Sequence, residues 1–314
     1  MTPSVLRPSR RALAVLLLLV AAAAGALATR GVAAGDGDPP AKDTRFADGT
    51  CEGTAVRFGV VLADDDAAGA RAAEVFRADL AEQLGCRVVV VPYATQARVV
   101  TALAVHEVDL GQLDPAALVV ADRAAGVASV GAYAVDQDTP ARAGALALWT
   151  RRDGPRDLAG LRGRRLALGA PLTAGGDLAP RAALLAAGVR ADAPATDDVL
   201  DAGDDAEALR ALRAGRVDAA LTRQRPARRE VRGLRRVWRA TGPLADVVAI
   251  RPGIPNAFRR LVLVAVRQLP GRTLAPLAAR QGIQQPAPLT SVPLDLYGPV
   301  AAQLDDLVGA GLRP

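Results

Sequence analysis

The chain has 314 residues, 51% of them hydrophobic, 23% charged and only 3% aromatic; this is too apolar for a chain that stays unfolded and too long for one hydrophobic core. Two cysteines and one histidine, His106, exclude a cysteine-rich scaffold and leave little with which to build a zinc cage or a histidine-based triad. The formal charge of +6 falls to +2 without the four arginines of residues 1–34, which excludes the strong basic excess of a nucleic-acid binder.

Arg7, Arg10 and Arg11 precede an apolar run from Ala12 to Ala28, and small-residue cleavage patterns follow at Ala26-Leu27-Ala28 and Val32-Ala33-Ala34. Residues 1–34 therefore read as an export signal absent from the mature protein. A retained N-terminal anchor is the other reading, because about 17 apolar residues is the short limit for spanning a bilayer. Residues 35–54 lack periodicity and read as a flexible leader, with order expected from Ala55.

Val56 to Val61 is a β-rich run, and Ala73, Phe76, Leu80 and Leu84 then recur at helical spacing up to the stop signal Gly85. Val88 to Val91 has the continuous apolar character of a strand buried on both faces, and Val99, Val100 and Leu103 mark the next helix. Val108 to Leu113 predicts a third strand, closed by Asp114-Pro115 ahead of a helix over 116–124. A second block repeats the alternation: strands at 145–150, 166–168, 217–221 and 247–250, and helices at 178–187 and 206–214. Such alternation with short joins predicts two α/β lobes, each a mostly parallel sheet flanked by helices. The Pro-bearing stretches 136–141 and 241–244 are the expected crossings, giving lobe 1 over 55–142 plus 245–314 and lobe 2 over 143–244. C-terminal helices at 256–268 and 297–308 are expected to pack on lobe 1.

Several of these stretches resemble one family. Arg57-Phe58-Gly59-Val60-Val61, Leu84-Gly85-Cys86-Arg87-Val88 and the run from Leu103 to Pro115 are similar to the first lobe of the periplasmic phosphonate-binding proteins that feed ABC transporters. Asp157 to Gly163 resembles the family's turn before a strand, Gly169 to Arg181 its anion-binding loop and helix start, and Ala206 to Ala220 its helix and strand. Trp238, Val247 to Pro255 and Tyr297 to Val300 extend the likeness, which covers roughly residues 55–300. The resemblance implies the type II periplasmic binding fold. It also implies an exported, monomeric solute-binding protein that takes a small anionic solute, phosphonate, phosphite or phosphate-like, to an ABC permease. No catalysis, cofactor, metal or nucleic acid is expected.

A cleft between two such lobes sets strand-end loops and helix N-termini opposite each other, so free backbone N–H groups can hold an oxyanion. Thr173-Ala174-Gly175-Gly176 fits that role, with Thr173, Gly175 and Gly176 as the expected donors. The family's loop carries several hydroxyl residues, whereas here only Thr173 remains. Gln96 and Leu118 stand where the family places tyrosines that line the ligand. Arg223 replaces an acidic or polar residue and offers a bidentate fork to an anion. Asp64, in the Asp64-Asp65-Asp66 run, and Asp114 are expected either to cap helices or to orient polar ligand groups at the cleft rim. Export, together with the family fold in which the first two strands are neighbours starting at the same sheet edge, implies a Cys51–Cys86 disulfide.

Arg225, Arg228, Arg229, Arg232, Arg235, Arg236 and Arg239 recur at spacings of three and four that suit one solvated helical face. Two other functional classes stay open: an exported sensor or assembly protein whose pocket has degenerated, and an enzyme on the same fold, for which no paired carboxylates or activated nucleophile can be nominated from sequence.

Overall fold

A computed structural model describes residues 44–46, 48–51, 53–191, 199–201 and 204–313; the segment read as an export signal lies outside the described residues. In chain order the strands are β1 (Val56–Val61), β2 (Val88–Tyr93), β3 (Leu110–Leu113), β4 (Ala128–Ala134), β5 (Leu146–Arg151), β6 (Leu166–Leu168), β7 (Val199–Asp201), β8 (Ala219–Thr222), β9 (Leu234–Ala240), β10 (Val247–Ile250) and β11 (Ala287–Thr290). The α-helices are α1 (Ala67–Leu84), α2 (Gln96–Ala104), α3 (Pro115–Ala125), α4 (Ala179–Ala186), α5 (Asp205–Arg213), α6 (Asn256–Gln268), α7 (Gly271–Ala279) and α8 (Gly298–Gly309).

Two sheets result, in the orders β11-β4-β10-β3-β1-β2 and β7-β6-β8-β5-β9. Parallel pairing joins β1 to β2 and β3, and β6 to β7 and β8. The strands next to the crossings return antiparallel: β10 slots between β3 and β4, and β5 between β8 and β9. Most strands of each sheet still run one way, so the parallel strands' C-terminal ends share an edge. That edge is where an α/β sheet presents its loops and helix N-termini.

Each sheet is buried on both faces. On one face of the first, Phe58, Val60 and Ile250 pack with Phe76 and Leu80 of α1 and with Phe258 and Val262 of α6. On the other, Leu113, Val247 and Ala249 pack with Leu103 of α2, Leu118 of α3 and Leu304 of α8. The second sheet sets Leu148, Leu166 and Leu221 against Leu184 of α4, and Ala167 and Ala220 against Leu212 of α5.

Three expectations need correction. Packed structure is present well ahead of Ala55: Phe46 is fully buried and stacks on Phe258 at 4.1 Å between ring centroids. Single anchors hold this stretch, not a repeating face, which is why it shows no periodicity. The arginine run is not a helix, because Gly233 adopts a left-handed φ of 81° and the chain then enters β9, an edge strand. Finally, α6 and α7 pack on the first sheet, but α8 lies against both halves. Its Val300 and Leu304 share one apolar cluster with Leu118 of α3 and with Leu172, Ala174 and Leu178 ahead of α4. Arg190 donates to the Ala310 carbonyl at 2.6 Å and Arg181 to that of Arg313, fastening the C-terminal end.

Cys51 and Cys86 are joined in a disulfide, with Cα atoms 5.9 Å apart. Parallel pairing of Val56 with Val88 brings the starts of β1 and β2 side by side, so the cysteines preceding each strand meet.

The two segments that link the sheets run antiparallel beside each other. Arg142 bridges Leu244, Ala143 N–H donates to the Pro243 carbonyl at 3.0 Å, and Ala245 N–H to that of Ala141 at 2.9 Å. The approach is close enough to require glycine at 242, where a Cβ would stand 2.1 Å from the Gly144 oxygen.

Candidate functional site

The seam between the sheets is built from loops leaving the C-terminal ends of β3 and β6. After β3, Asp114 adopts extended backbone, caps α3 by accepting the Ala116 N–H at 2.8 Å, and is followed by Pro115 in the first turn. Gln96, the first residue of α2, accepts the Asp114 N–H at 3.3 Å. These two residues expected from sequence are therefore adjacent.

After β6 the chain makes the Gly169–Gly176 loop. Thr173 is extended, and Ala174–Leu178 forms a single wide turn leading directly into α4. The loop closes on itself: Gly169 N–H donates to the Gly176 carbonyl at 2.8 Å, and the Thr173 hydroxyl to the Ala170 carbonyl at 2.6 Å. Gly175 packs against Leu146 and Pro243, and a Cβ at Gly176 would lie 2.4 Å from the Thr173 hydroxyl. The glycines expected as donors are thus needed first for close approach. Behind them Leu172 holds a left-handed φ of 60°, an uncommon conformation for a branched residue, with its N–H donating to Asp177 at 3.2 Å. Asp177 is paired with Arg181 at 3.1 Å, both side chains fully buried. Burial pushes the Asp177 carboxyl above the usual range, and the Arg181 charge partly offsets it. Asp-x-x-x-Arg at helical spacing was a legible signal for this pair.

One donor of the loop crosses the seam. Ala174 N–H donates to Asp114 Oδ1 at 2.7 Å, so a carboxylate of the first half sits on the loop of the second. Of the expected residues, Gln96, Asp114 and the 173–176 loop come together here.

The surroundings of Asp114 are acidic. Asp246, just ahead of β10, accepts from Gln112 Nε2 at 2.8 Å, while its own N–H donates to the Gln281 side chain at 2.8 Å. Burial raises the carboxyls of Asp114 and Asp246 above the ordinary range, and the Asp246 charge raises Asp114 further. The fully buried Tyr133 and Tyr297 are also raised, by burial and then by Asp246. Their hydroxyls, with Gln112 Oε1 and Gln281 Nε2, make no hydrogen bond among the described residues. Sequence reading missed this cluster. Asp246 stands alone between a crossing and an apolar strand, and only the antiparallel insertion of β10 beside β3 brings it near Asp114.

The other expected residues lie elsewhere. Arg223 follows β8, neighbour of β6, so it leaves the same sheet edge as the 173–176 loop. Its guanidinium is instead taken by Asp205 at 3.4 Å, and the same carboxylate accepts the Arg223 and Gln224 backbone N–H groups at 2.9 and 3.0 Å. Asp64 is exposed; Asp66 is the residue that caps α1, accepting the Gly69 N–H at 2.8 Å and pairing with Arg280. Leu118 is fully buried core. Among the described residues, no group of three or more His, Cys, Asp or Glu is placed to hold a metal, and no helix is long and apolar enough to cross a membrane.

The fold agrees with that of known proteins. Solved structures that resemble the chain include PhnD1 from Prochlorococcus marinus in complex with methylphosphonate, at 12% identity and a TM-score of 0.62, covering 81% of this chain and 98% of that one. A Xanthomonas citri protein bound to a chloride ion matches at 18% identity and a TM-score of 0.62, covering 80% and 99%. A binding protein component of an ABC phosphonate transporter from Pseudomonas aeruginosa matches at 18% and 0.59, covering 79% and 85%. A search of curated protein sequences gives no match. The sequence model described as ABC transporter, phosphonate, periplasmic substrate-binding protein matches residues 58–289, most of the chain. The chain therefore belongs to the family of periplasmic phosphonate substrate-binding proteins of ABC transporters.

Proposed function

We propose that this chain is an exported, monomeric, non-catalytic binding protein that closes on a small oxyanion, phosphonate, phosphite or phosphate-like, between its two sheets and presents it to an ABC permease. The observation that carries the oxyanion reading is the Ala174 N–H contact: the loop ahead of α4 already holds one carboxyl oxygen at 2.7 Å. A solute oxygen at that point meets a backbone donor at the start of a helical segment, where the dipole favours negative charge. The paired crossings at 141–145 and 242–245 serve as the hinge, since a two-stranded strip bends without breaking either sheet.

Calorimetry against methylphosphonate, phosphite, phosphate and an alkanesulfonate tests the reading. Saturable binding of one of the phosphorus oxyanions is expected. Absence of binding by all four would overturn it. A second reading, a binding fold whose pocket its own side chains fill, is favoured by the apolar seam that joins Leu172, Ala174 and Leu178 to Leu118 and Leu304.

A further inference from the structure

We infer that Asp114 is a tethered competitor for the solute: its carboxylate occupies the anion seat at Ala174 in the closed protein before solute arrives, and an incoming oxyanion binds only by displacing it. The inference rests on the oxyanion reading above and adds what limits affinity at that site.

Three observations carry it. The contact joins two halves of the molecule, from the residue after β3 to the turn before α4, so it forms only when the halves are together. It is a short bond, 2.7 Å from a backbone donor to a carboxyl oxygen, the geometry a phosphonate or phosphate oxygen would adopt. And the carboxylate is poorly compensated. Asp246 lies on one side and Asp177, itself paired with Arg181, behind the loop; among the described residues no cation pairs with Asp114. Arg280 lowers the Asp246 carboxyl by its charge, but it is paired with Asp66. An oxyanion entering at Ala174 meets a donor already taken by Asp114 Oδ1, with the Asp246 carboxyl beside it, so the seat cannot hold solute and Asp114 together.

The consequence is a population effect. When the seat is self-occupied in roughly 90 to 99% of molecules, the apparent affinity for solute falls by roughly 10-fold to 100-fold, and removing the competitor restores it. The solute must also reopen the seam, so association should be slow and limited by opening, not by diffusion.

Asp114→Ser is the informative variant. Oδ1 of Asp114 accepts from both Ala116 and Ala174; a serine hydroxyl lies one bond nearer the backbone and serves the local cap, so the fold is preserved while the cross-seam contact is weakened. Asp114→Asn, which keeps the shape and removes the charge, is the second variant. Both are titrated by calorimetry with inorganic phosphate, phosphite and methylphosphonate, and scattering of each protein without added anion gives its radius of gyration. The expected result is an affinity at least about tenfold higher in Asp114→Ser than in wild type, a smaller gain in Asp114→Asn, and a more open form of Asp114→Ser before anion is added. Equal affinities in all three proteins would overturn the inference and leave the oxyanion reading standing. If none of the three binds any anion, inference and reading fall together. If Asp114→Ser binds where wild type does not, both are supported.

Discussion

Two carboxylates, one fully buried and one half-buried, stand at the two ends of β3, five positions apart, in opposite surroundings. At the strand's start, Asp109 is fully buried and ringed by cations: Arg45 and Arg251 each reach Oδ1 at 3.0 Å, and Arg57 approaches Oδ2 at 3.8 Å while its backbone N–H donates to the same oxygen. At the strand's end, Asp114 has two backbone N–H donors and a second acid, Asp246, nearby. The first arrangement is closed and held by three arginines, as a structural anchor is. The second gathers carboxyl groups without a paired cation among the described residues where the two halves meet, and that is the condition under which a competing ligand can move a side chain. The same element thus ends in a fixed point on one side and a movable one on the other.

Cutting the fixed point should give the largest effect. Asp109→Ala would break a fully buried ion pair with Arg251, so a loss of about 3–5 kcal/mol in urea unfolding is expected. A loss under about 1 kcal/mol would show that this carboxylate is not what anchors the first sheet. The disulfide belongs to the same end, tying the segment that carries Arg45 and Phe46 to the start of β2. Opening its 35-residue loop in a Cys51→Ser, Cys86→Ser double variant should cost about 2–4 kcal/mol. Thermal unfolding at matched pH measures this, and unchanged stability would mean that packing of Phe46 on Phe258 suffices.

What was legible in the sequence follows the same division. Periodic apolar faces marked the strands β1, β2, β5, β6, β8 and β10 and the helices flanking them, because burial on a repeating face leaves a repeating signal. The small-residue strand β4 and the Pro-bearing β11 carry no such pattern, and they join the sheet only through pairing with distant strands. At the site, Gln96, Asp114 and the 173–176 loop were readable as helix starts after strands. The Asp246, Tyr133 and Tyr297 cluster was not, since it depends on long-range register that no local motif encodes.

The movable end should respond to pH. The groups that act on it are Asp246, Asp177 with Arg181, Arg280, and the two tyrosines, Tyr133 and Tyr297. Because the folded carboxyls of Asp114 and Asp246 are raised above the ordinary range, the folded state binds more protons than the unfolded one between that range and the raised values. Their contribution is therefore fully present below the unfolded value of about 4 and is lost as pH rises through the folded values. A titration midpoint displaced by one full pH unit between the two states changes stability by about 1.4 kcal/mol. Guanidinium unfolding at about pH 5 and about pH 8 should show wild type less stable at the higher pH, with a flatter dependence in Asp114→Asn and Asp246→Asn. A slope equal to wild type in both variants would mean that the excess of acid at this end is compensated by groups not named above.

The smallest effect concerns Arg223, the one cation that sequence placed in the cleft. Its charge would cancel the acid excess if it faced the solute, but Asp205 engages it together with two backbone N–H groups of the turn after β8. The Arg223 side chain is 39% exposed, so pairing of this kind contributes under about 1 kcal/mol to stability. Removing the side chain leaves Asp205 with its backbone donors and leaves Ala174 untouched. Arg223→Ala should accordingly change stability by less than about 1 kcal/mol, and it should change oxyanion affinity by less than about threefold, well under one power of ten in binding constant. A bidentate contact to the solute in a desolvated cleft would instead cost on the order of 2 to 4 kcal/mol, roughly 30-fold to 1000-fold in affinity. Calorimetry with the anion that wild type binds separates the two outcomes. A loss of that size would give the cleft its missing positive charge, and the contrast between the two ends of β3 would then be one of mobility alone, not of charge.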